Sequence, residues 1–128
     1  NNRGRLIAGT NSGFNHLIRP LLYGSYHQIE NITNPGGGLK TYDITGNICE
    51  TGDCFAEQRE LPELREGDRL VIKNAGAYAY SMGSLYNLRS MPSELMVEGN
   101  EEYLITKRFS NEELAESIIS SSNKGIDF

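Results

Sequence analysis

Cys49-Glu50-Thr51-Gly52-Asp53 puts a thiol beside a carboxylate, then a glycine-containing turn, then a second carboxylate. A thiol can give up a proton near neutral pH, since an ordinary cysteine titrates at about 8.5. A carboxylate next to it can meet an ammonium group through a charge-assisted hydrogen bond. Arg19 and Tyr23 lie four apart, which on a helical turn puts them on one face. The arginine is a planar fork suited to a carboxylate, and the tyrosine adds one donor. Tyr78 closes the run Asn74-Ala75-Gly76-Ala77-Tyr78, whose small residues let a ligand or backbone come close to a hydroxyl. Each feature has an ordinary explanation too. The pentapeptide can be a surface turn with an incidental cysteine, and the arginine can simply pack over the tyrosine. His16 and His27 are lone histidines without metal-ligand spacing and read as structural or surface residues.

The elements that must position these groups are short. Residues 5–9 read as a strand and 10–13 as a turn cluster. Over 14–26 the apolar residues Phe14, Leu17, Ile18, Leu21 and Leu22 recur at three-to-four spacing, a helical stretch expected to break near Pro20. Residues 26–31 alternate as a strand, 34–38 form a glycine-rich hairpin loop, and 39–48 alternate again and lead into Cys49. Cys49 and its neighbours thus fall in an accessible loop at the end of a rigid strand. Residues 55–62 read as loop or short extended structure, 64–68 as a turn, and 69–73 as a strand with Leu70 and Ile72 on one face. One helical turn is expected in 81–87. The last strands fall at 94–98 and 103–107, around a turn at Gly99-Asn100. Ser110 and Glu113 make a capping box, so a final helix starts at Asn111 and stops near Ser120, with Leu114, Ile118 and Ile119 as the apolar stripe that packs on the sheet framework. A polar tail follows to 125.

A chain of 128 residues suits one domain with one core. Fourteen glycines and a modest apolar content point to many turns, hence a mainly β fold: a β-barrel or sandwich-like domain with short helices and a C-terminal helix. The net charge of −5 argues against a nucleic-acid or anionic-membrane partner. No apolar run approaches the roughly 18 residues of a membrane span, and no secretory segment follows the first residues. Two cysteines are no disulfide framework, so a reduced, cytoplasmic setting is the default. A strand beginning almost at residue 1 suggests a piece of a longer polypeptide.

Four segments, taken in order and spacing, resemble one family. They are His16-Leu17-Ile18-Arg19-Pro20-Leu21-Leu22-Tyr23, Cys49-Glu50-Thr51-Gly52-Asp53, Asn74-Ala75-Gly76-Ala77-Tyr78, and Ser81-Met82 with Tyr86-Asn87. Between about Leu6 and Val97 the chain resembles the C-terminal domain of pyridoxal-phosphate decarboxylases of the alanine-racemase-like fold, the diaminopimelate decarboxylases above all. That family joins a cofactor-binding (β/α)₈ barrel to a β-rich cap. The resemblance makes residues 1–128 a cap domain whose barrel, Schiff-base lysine and phosphate loop lie elsewhere, and this piece alone should decarboxylate nothing.

The resemblance also implies roles. Arg19 and Tyr23 match residues that bind the distal carboxylate of the substrate. Cys49 matches a cysteine delivered across a homodimer interface, where it gives a proton to the carbon that loses carbon dioxide. Glu50 matches the partner of the distal ammonium, and Asp53 an interface residue pairing with a lysine of the neighbouring barrel. Tyr78 matches a tyrosine that approaches the phosphate of pyridoxal 5′-phosphate, with Tyr86 and Asn87 in support. Cys54 lies outside the pattern and reads as a small packed side chain. The implied activity is decarboxylation of meso-diaminopimelate to L-lysine.

Two alternatives remain open from the residues. One keeps the fold and changes the substrate to a D-amino acid, ornithine, arginine or carboxynorspermidine. Arg19 speaks against a simple diamine precursor, which has no distal carboxylate, whereas Thr10-Asn11-Ser12-Gly13 departs from the acidic residue usual in that turn. The other is a non-catalytic β-barrel binding module.

Overall fold

A computed structural model describes residues 4–122. The chain forms two compact units, Asn1–Gly83 and Ser84–Phe128. In the first, β1 (Leu6–Gly9), β3 (Leu39–Thr45) and β4 (Cys54–Pro62) make a three-stranded sheet in the order β1-β3-β4. β1 runs parallel to β3 and β4 antiparallel to it. A separate antiparallel pair joins β2 (Ile29–Asn31) to β5 (Leu70–Ile72). Two short helices, α1 (Arg19–Tyr23) and α2 (Gly76–Ala79), complete this unit.

Leu17, Ile29, Tyr42, Ile44, Phe55, Ala56 and Leu61 form its core, with Ala8, Leu70, Ile72 and Ala79 packed around it. Ile44 is 0 % exposed. One buried charge shapes the sheet. Between Tyr42 and Ile44 the β3–β4 register slips, and Gln58 on β4 takes a positive φ of 47°. Asp43 stands at that irregularity. Its Oδ1 accepts the Gln58 amide at 2.9 Å, and its Oδ2 lies 2.6 Å from the Arg5 guanidinium. A bulge leaves an amide without a ladder partner, and here a carboxylate supplies one. Arg5, then the Gln58 amide, hold the Asp43 carboxyl below the usual carboxylate range.

The second unit holds a 3-10 turn at Tyr86–Leu88, the antiparallel pair β6 (Glu94–Glu98) and β7 (Glu101–Thr106), and α3 (Asn111–Ser122). Gly99, at φ 63°, makes the turn between β6 and β7. The capping box forms as expected. The Ser110 amide donates to Glu113 Oε2 at 2.8 Å, and the Glu113 amide to Ser110 Oγ at 3.1 Å. Leu114 is buried while Ile118 and Ile119 are exposed, so the apolar stripe is narrower than its pattern suggested. α3 runs to Ser122 rather than Ser120, and the tail expected beyond it lies outside the described residues.

Two expectations need correction, and a third is sharpened. Pro20 starts a helix instead of breaking one, since it sits at the first turn of α1, where no amide donor is needed. Residues 34–38 do not close a hairpin, because β2 and β3 belong to different sheets. Residues 55–62, read as loop or short extended structure, are extended: they belong to β4, the longest strand in the first unit. The fold is mainly sheet with short helices; among the described residues the strands form three separate sheets and no closed barrel. No described helix is long and apolar enough to cross a membrane.

Ile44→Ala should lower stability by about 2–5 kcal/mol, the range for truncating a fully buried aliphatic side chain, read from the midpoint of urea unfolding. A depressed folded-state carboxyl stabilises above its unfolded value, about 3.9, and that contribution fades as pH falls through the folded value. Asp43→Asn should therefore flatten the acid side of the stability profile below about pH 4. An unchanged acid limb in the variant would show that the Arg5–Asp43 pair is energetically silent.

Candidate functional site

Cys49 and Glu50 stand exposed in the loop between β3 and β4. The loop is held from inside. Asp53 is 5 % exposed, and its carboxylate accepts two backbone amides, Phe14 through Oδ1 and Ile48 through Oδ2, both at 2.7 Å. Hydrogen bonds from the Gly46 amide to the Asp53 carbonyl and from the Asn47 amide to the Ser12 carbonyl, both 2.9 Å, fasten the loop's start. Gly46 leaves the room this needs, because a Cβ there would collide with the Asp53 carboxylate. Ile48 is buried, so the chain is pinned on both sides of the exposed residues Cys49, Glu50 and Thr51. Asp53, which the resemblance matches to an interface residue pairing with a lysine, faces inward here, and both oxygens accept amides of this chain's own backbone.

The same loop touches α1. Gly52 lies so close to Leu21 that a Cβ on it would overlap the leucine's Cδ1. α1 carries Arg19 and Tyr23 one turn apart, with Tyr23 62 % exposed. Gly24, at φ 61°, ends the helix with its amide donating to the Pro20 carbonyl at 3.0 Å. The Arg19 guanidinium lies over the ring of Tyr78, 5.1 Å from its centroid. At an exposed site such stacking contributes roughly 0.5–1 kcal/mol and fixes the guanidinium's plane. Among the described residues Arg19 makes no ion pair. Tyr78, on α2, is itself 52 % exposed.

The structure thus brings Arg19 to Tyr78 and the Cys49 loop to α1. Tyr86 and Asn87 belong to the second unit. Clefts of about 760 and 410 Å³ among the described residues of the first unit are lined by other residues than Arg19, Tyr23, Cys49, Glu50 and Tyr78. Cys54 differs from Cys49. Its half-buried thiol donates toward the Ile44 and Ala56 carbonyls at 3.4 and 3.3 Å, and burial pushes its pKa up. That fits a packed side chain rather than a reactive one. His16 Nδ1 lies 3.0 Å from Ser12 Oγ, a local contact. Among the described residues no cluster of His, Cys, Asp and Glu could hold a metal.

Sequence reasoning missed a second stacked pair. Arg59 lies over the Tyr26 ring at 4.1 Å and donates to the His27 carbonyl at 2.9 Å. Its signal is blurred by the irregularity at Gln58, which interrupts the strand pattern of β4. His27, read as a structural or surface residue, is buried.

The first unit thus presents a thiol, a carboxylate, a guanidinium and phenols on one sheet module. Residues 1–76 match the family described as pyridoxal-dependent decarboxylase, C-terminal sheet domain, and the chain belongs to that family. It is 47 % identical over 105 residues to the diaminopimelate decarboxylase of Methanothermobacter thermautotrophicus, covering 81 % of this chain and 24 % of that protein. The match to the diaminopimelate decarboxylase of Zymomonas mobilis is 44 % over 103 residues, 80 % of this chain and 24 % of the relative. In three dimensions the chain is similar to diaminopimelate decarboxylase from Helicobacter pylori complexed with L-lysine, with a TM-score of 0.81 and 35 % identity over 90 % of this chain and 28 % of that one. The chain spans about a quarter of the length of these relatives.

The family's cofactor can be set against the residues present. A pyridoxal phosphate needs a lysine for its aldehyde and a set of donors for its phosphate. The described lysines, Lys40, Lys73 and Lys107, are each engaged with a glutamate in an ion pair. Tyr78 fits the part of a single phosphate-facing hydroxyl, being half-exposed and backed by a cation.

Asp53→Asn keeps one acceptor but turns an NH₂ toward a buried amide. The expected cost is about 1–3 kcal/mol, with faster hydrogen exchange at the Phe14 and Ile48 amides. Unchanged exchange at both positions would show that the carboxylate does not anchor the loop.

Proposed function

We propose that this chain is the C-terminal cap of a pyridoxal-phosphate-dependent decarboxylase acting on meso-diaminopimelate and yielding L-lysine. The observation that carries the reading is the stacking of Arg19 on Tyr78, on the helix that the Cys49 loop abuts. It joins a carboxylate-binding group to a phosphate-facing one within one compact unit. The bound cofactor would supply an electron sink for the pair released when the bond to the departing carboxylate breaks.

The chain's own residues supply the rest. Arg19, with its plane fixed by Tyr78, offers two N–H donors to the distal carboxylate, and Tyr23 adds a hydroxyl from the same helix face. Glu50 accepts from the distal ammonium. The Cys49 thiol gives its proton to the carbon from which carbon dioxide left, so the amine product keeps no carboxylate at that centre. Tyr78 meets the cofactor phosphate. The N-terminal (β/α)₈ barrel would carry the cofactor lysine, and a homodimer would bring Cys49 and Glu50 of one protomer to the Arg19 side of its partner. Within that assembly the cap's sheets would form the family's barrel-like arrangement. A thiol that must stay reduced to give up its proton fits a cytoplasmic setting.

An alternative substrate of the ornithine or arginine type is disfavoured by Arg19, whose charge would face no carboxylate there.

In the full-length protein, Cys49→Ala should lower turnover by about 10²–10⁴-fold while the bound-cofactor absorbance stays the same. Arg19→Lys should lose about 10–100-fold in kcat/KM for meso-diaminopimelate, as expected for one charge-assisted bidentate contact. Carbon dioxide release from L-ornithine at a rate matching or exceeding that from meso-diaminopimelate would overturn the substrate assignment. Full turnover by the Cys49 variant would remove the thiol from the reaction.

A further inference from the structure

His27 is 4 % exposed and sits just before β2, and its side chain takes no part in the proposed chemistry. Its Nδ1 lies 3.0 Å from the carbonyl oxygen of Lys73. A carbonyl can only accept, so Nδ1 carries the proton. Nε2 is buried and has no hydrogen-bond partner among the described residues. Leaving a buried polar atom unsatisfied is costly, and an aliphatic residue would avoid the cost. The Nδ1 bond is what an aliphatic residue could not make.

That bond falls at a junction. Lys73 is the residue directly after β5. Its amide donates to the Gln28 carbonyl at 2.8 Å, and its ammonium pairs with Glu30 at 2.5 Å. The next residue, Asn74, has φ 56°, a left-handed turn, and two residues further on α2 begins. A carbonyl at such a strand end has no ladder partner, and a loose one would let the following turn vary in direction. His27 is fixed in its turn: its own carbonyl accepts from Arg59 at 2.9 Å, and Arg59 stacks on Tyr26. A continuous run of contacts thus leads from Arg59 through His27 and Lys73 to α2, which carries Tyr78.

We propose that His27 is a positioning residue: its Nδ1 bond to the Lys73 carbonyl sets the direction in which the chain leaves β5 and thereby places Tyr78 under Arg19. The inference rests on the proposed decarboxylase reading for its functional meaning, since Tyr78 and Arg19 are the groups it serves. The imidazole acts by geometry and touches neither substrate nor cofactor.

The test compares two variants in the full chain without cofactor or substrate. His27→Leu keeps most of the volume and loses the donor. His27→Asn loses volume but places an amide N–H near the former Nδ1. Hydrogen exchange is read at the Ala79 amide, which closes α2 on the Ala75 carbonyl at 3.1 Å, together with the ring resonances of Tyr78. His27→Leu is expected to speed that exchange about tenfold and to shift the Tyr78 ring signals, while His27→Asn stays within about threefold of the parent. Packing alone would give the opposite order, with leucine tolerated better than asparagine, and that result would overturn the proposal. So would parent-like exchange in both variants. Should neither variant fold, the ¹⁵N spectrum of the parent imidazole decides: a proton on Nδ1 supports the bond, and one on Nε2 alone refutes it. None of these readouts needs turnover, so their failure is separable from a failure of the full-length protein to decarboxylate meso-diaminopimelate.

Discussion

A carboxylate taken out of water must be given hydrogen bonds in return, and Asp53 is given two from amides that belong to different parts of the chain. Phe14 precedes α1 and Ile48 lies in the β3–β4 loop, so one side chain sets the distance between the two segments that carry Arg19 and Cys49. Charge-assisted bonds of this kind are short and directional, and they hold a loop whose own sequence offers little packing. Remove the bonds and the loop keeps only the buried Ile48, the backbone bonds at Gly46 and Asn47 and the contact of Gly52 with Leu21. The candidate site therefore depends on a residue that touches nothing outside the chain.

The glycines complete the arrangement by subtraction. At Gly46 the missing side chain is the space Asp53 occupies, and at Gly52 it is the space Leu21 fills. At Gly13 a Cβ would lie 2.5 Å from Ile48 Cδ1. All three sit where the loop, the turn before α1 and α1 itself come together. Two of the glycines that suggested a turn-rich chain thus do different work from turn-making: neither Gly46 nor Gly52 has a positive φ, and each is small because a neighbour needs the room.

What the sequence disclosed follows from which interactions are local. The capping box of α3 spans three residues, and Leu70 with Ile72 span two, so both were legible. β4 was legible only as loop or short extended structure, because the irregularity at Gln58 breaks the period of two: Phe55 and Ala56 are buried side by side, and Leu61 is the next to be buried. Pro20 misled for a related reason, since a proline reads the same at a helix start and at a helix break until the end of the preceding turn is known. Asp53 was legible as a member of a motif, but its backbone partners were not. A lone carboxylate beside glycine reads as surface, and only the fold shows that amides 39 and 5 residues away converge on it. His27 and Arg59 were lost in the same way, through partners 46 and 32 residues distant.

Exposure of Tyr23, Cys49, Glu50 and Tyr78 bears on how such a site can act. A charged pair in water gains about 0–1 kcal/mol, too little to select one carboxylate-bearing ligand from another. The same guanidinium and carboxylate, covered so that the effective dielectric falls, interact several times more strongly. The cap meets the geometric half of that requirement in advance: Asp53 fixes the loop, Tyr78 fixes the plane of Arg19, and the tight fit at Gly52 fixes loop against helix. The electrostatic half has to come from a surface that closes over these groups, which under the proposed reading is the cofactor-bearing barrel and the partner protomer. Division of labour of this kind makes binding energy available only in the assembled site, where orientation has already been settled and little further ordering is needed.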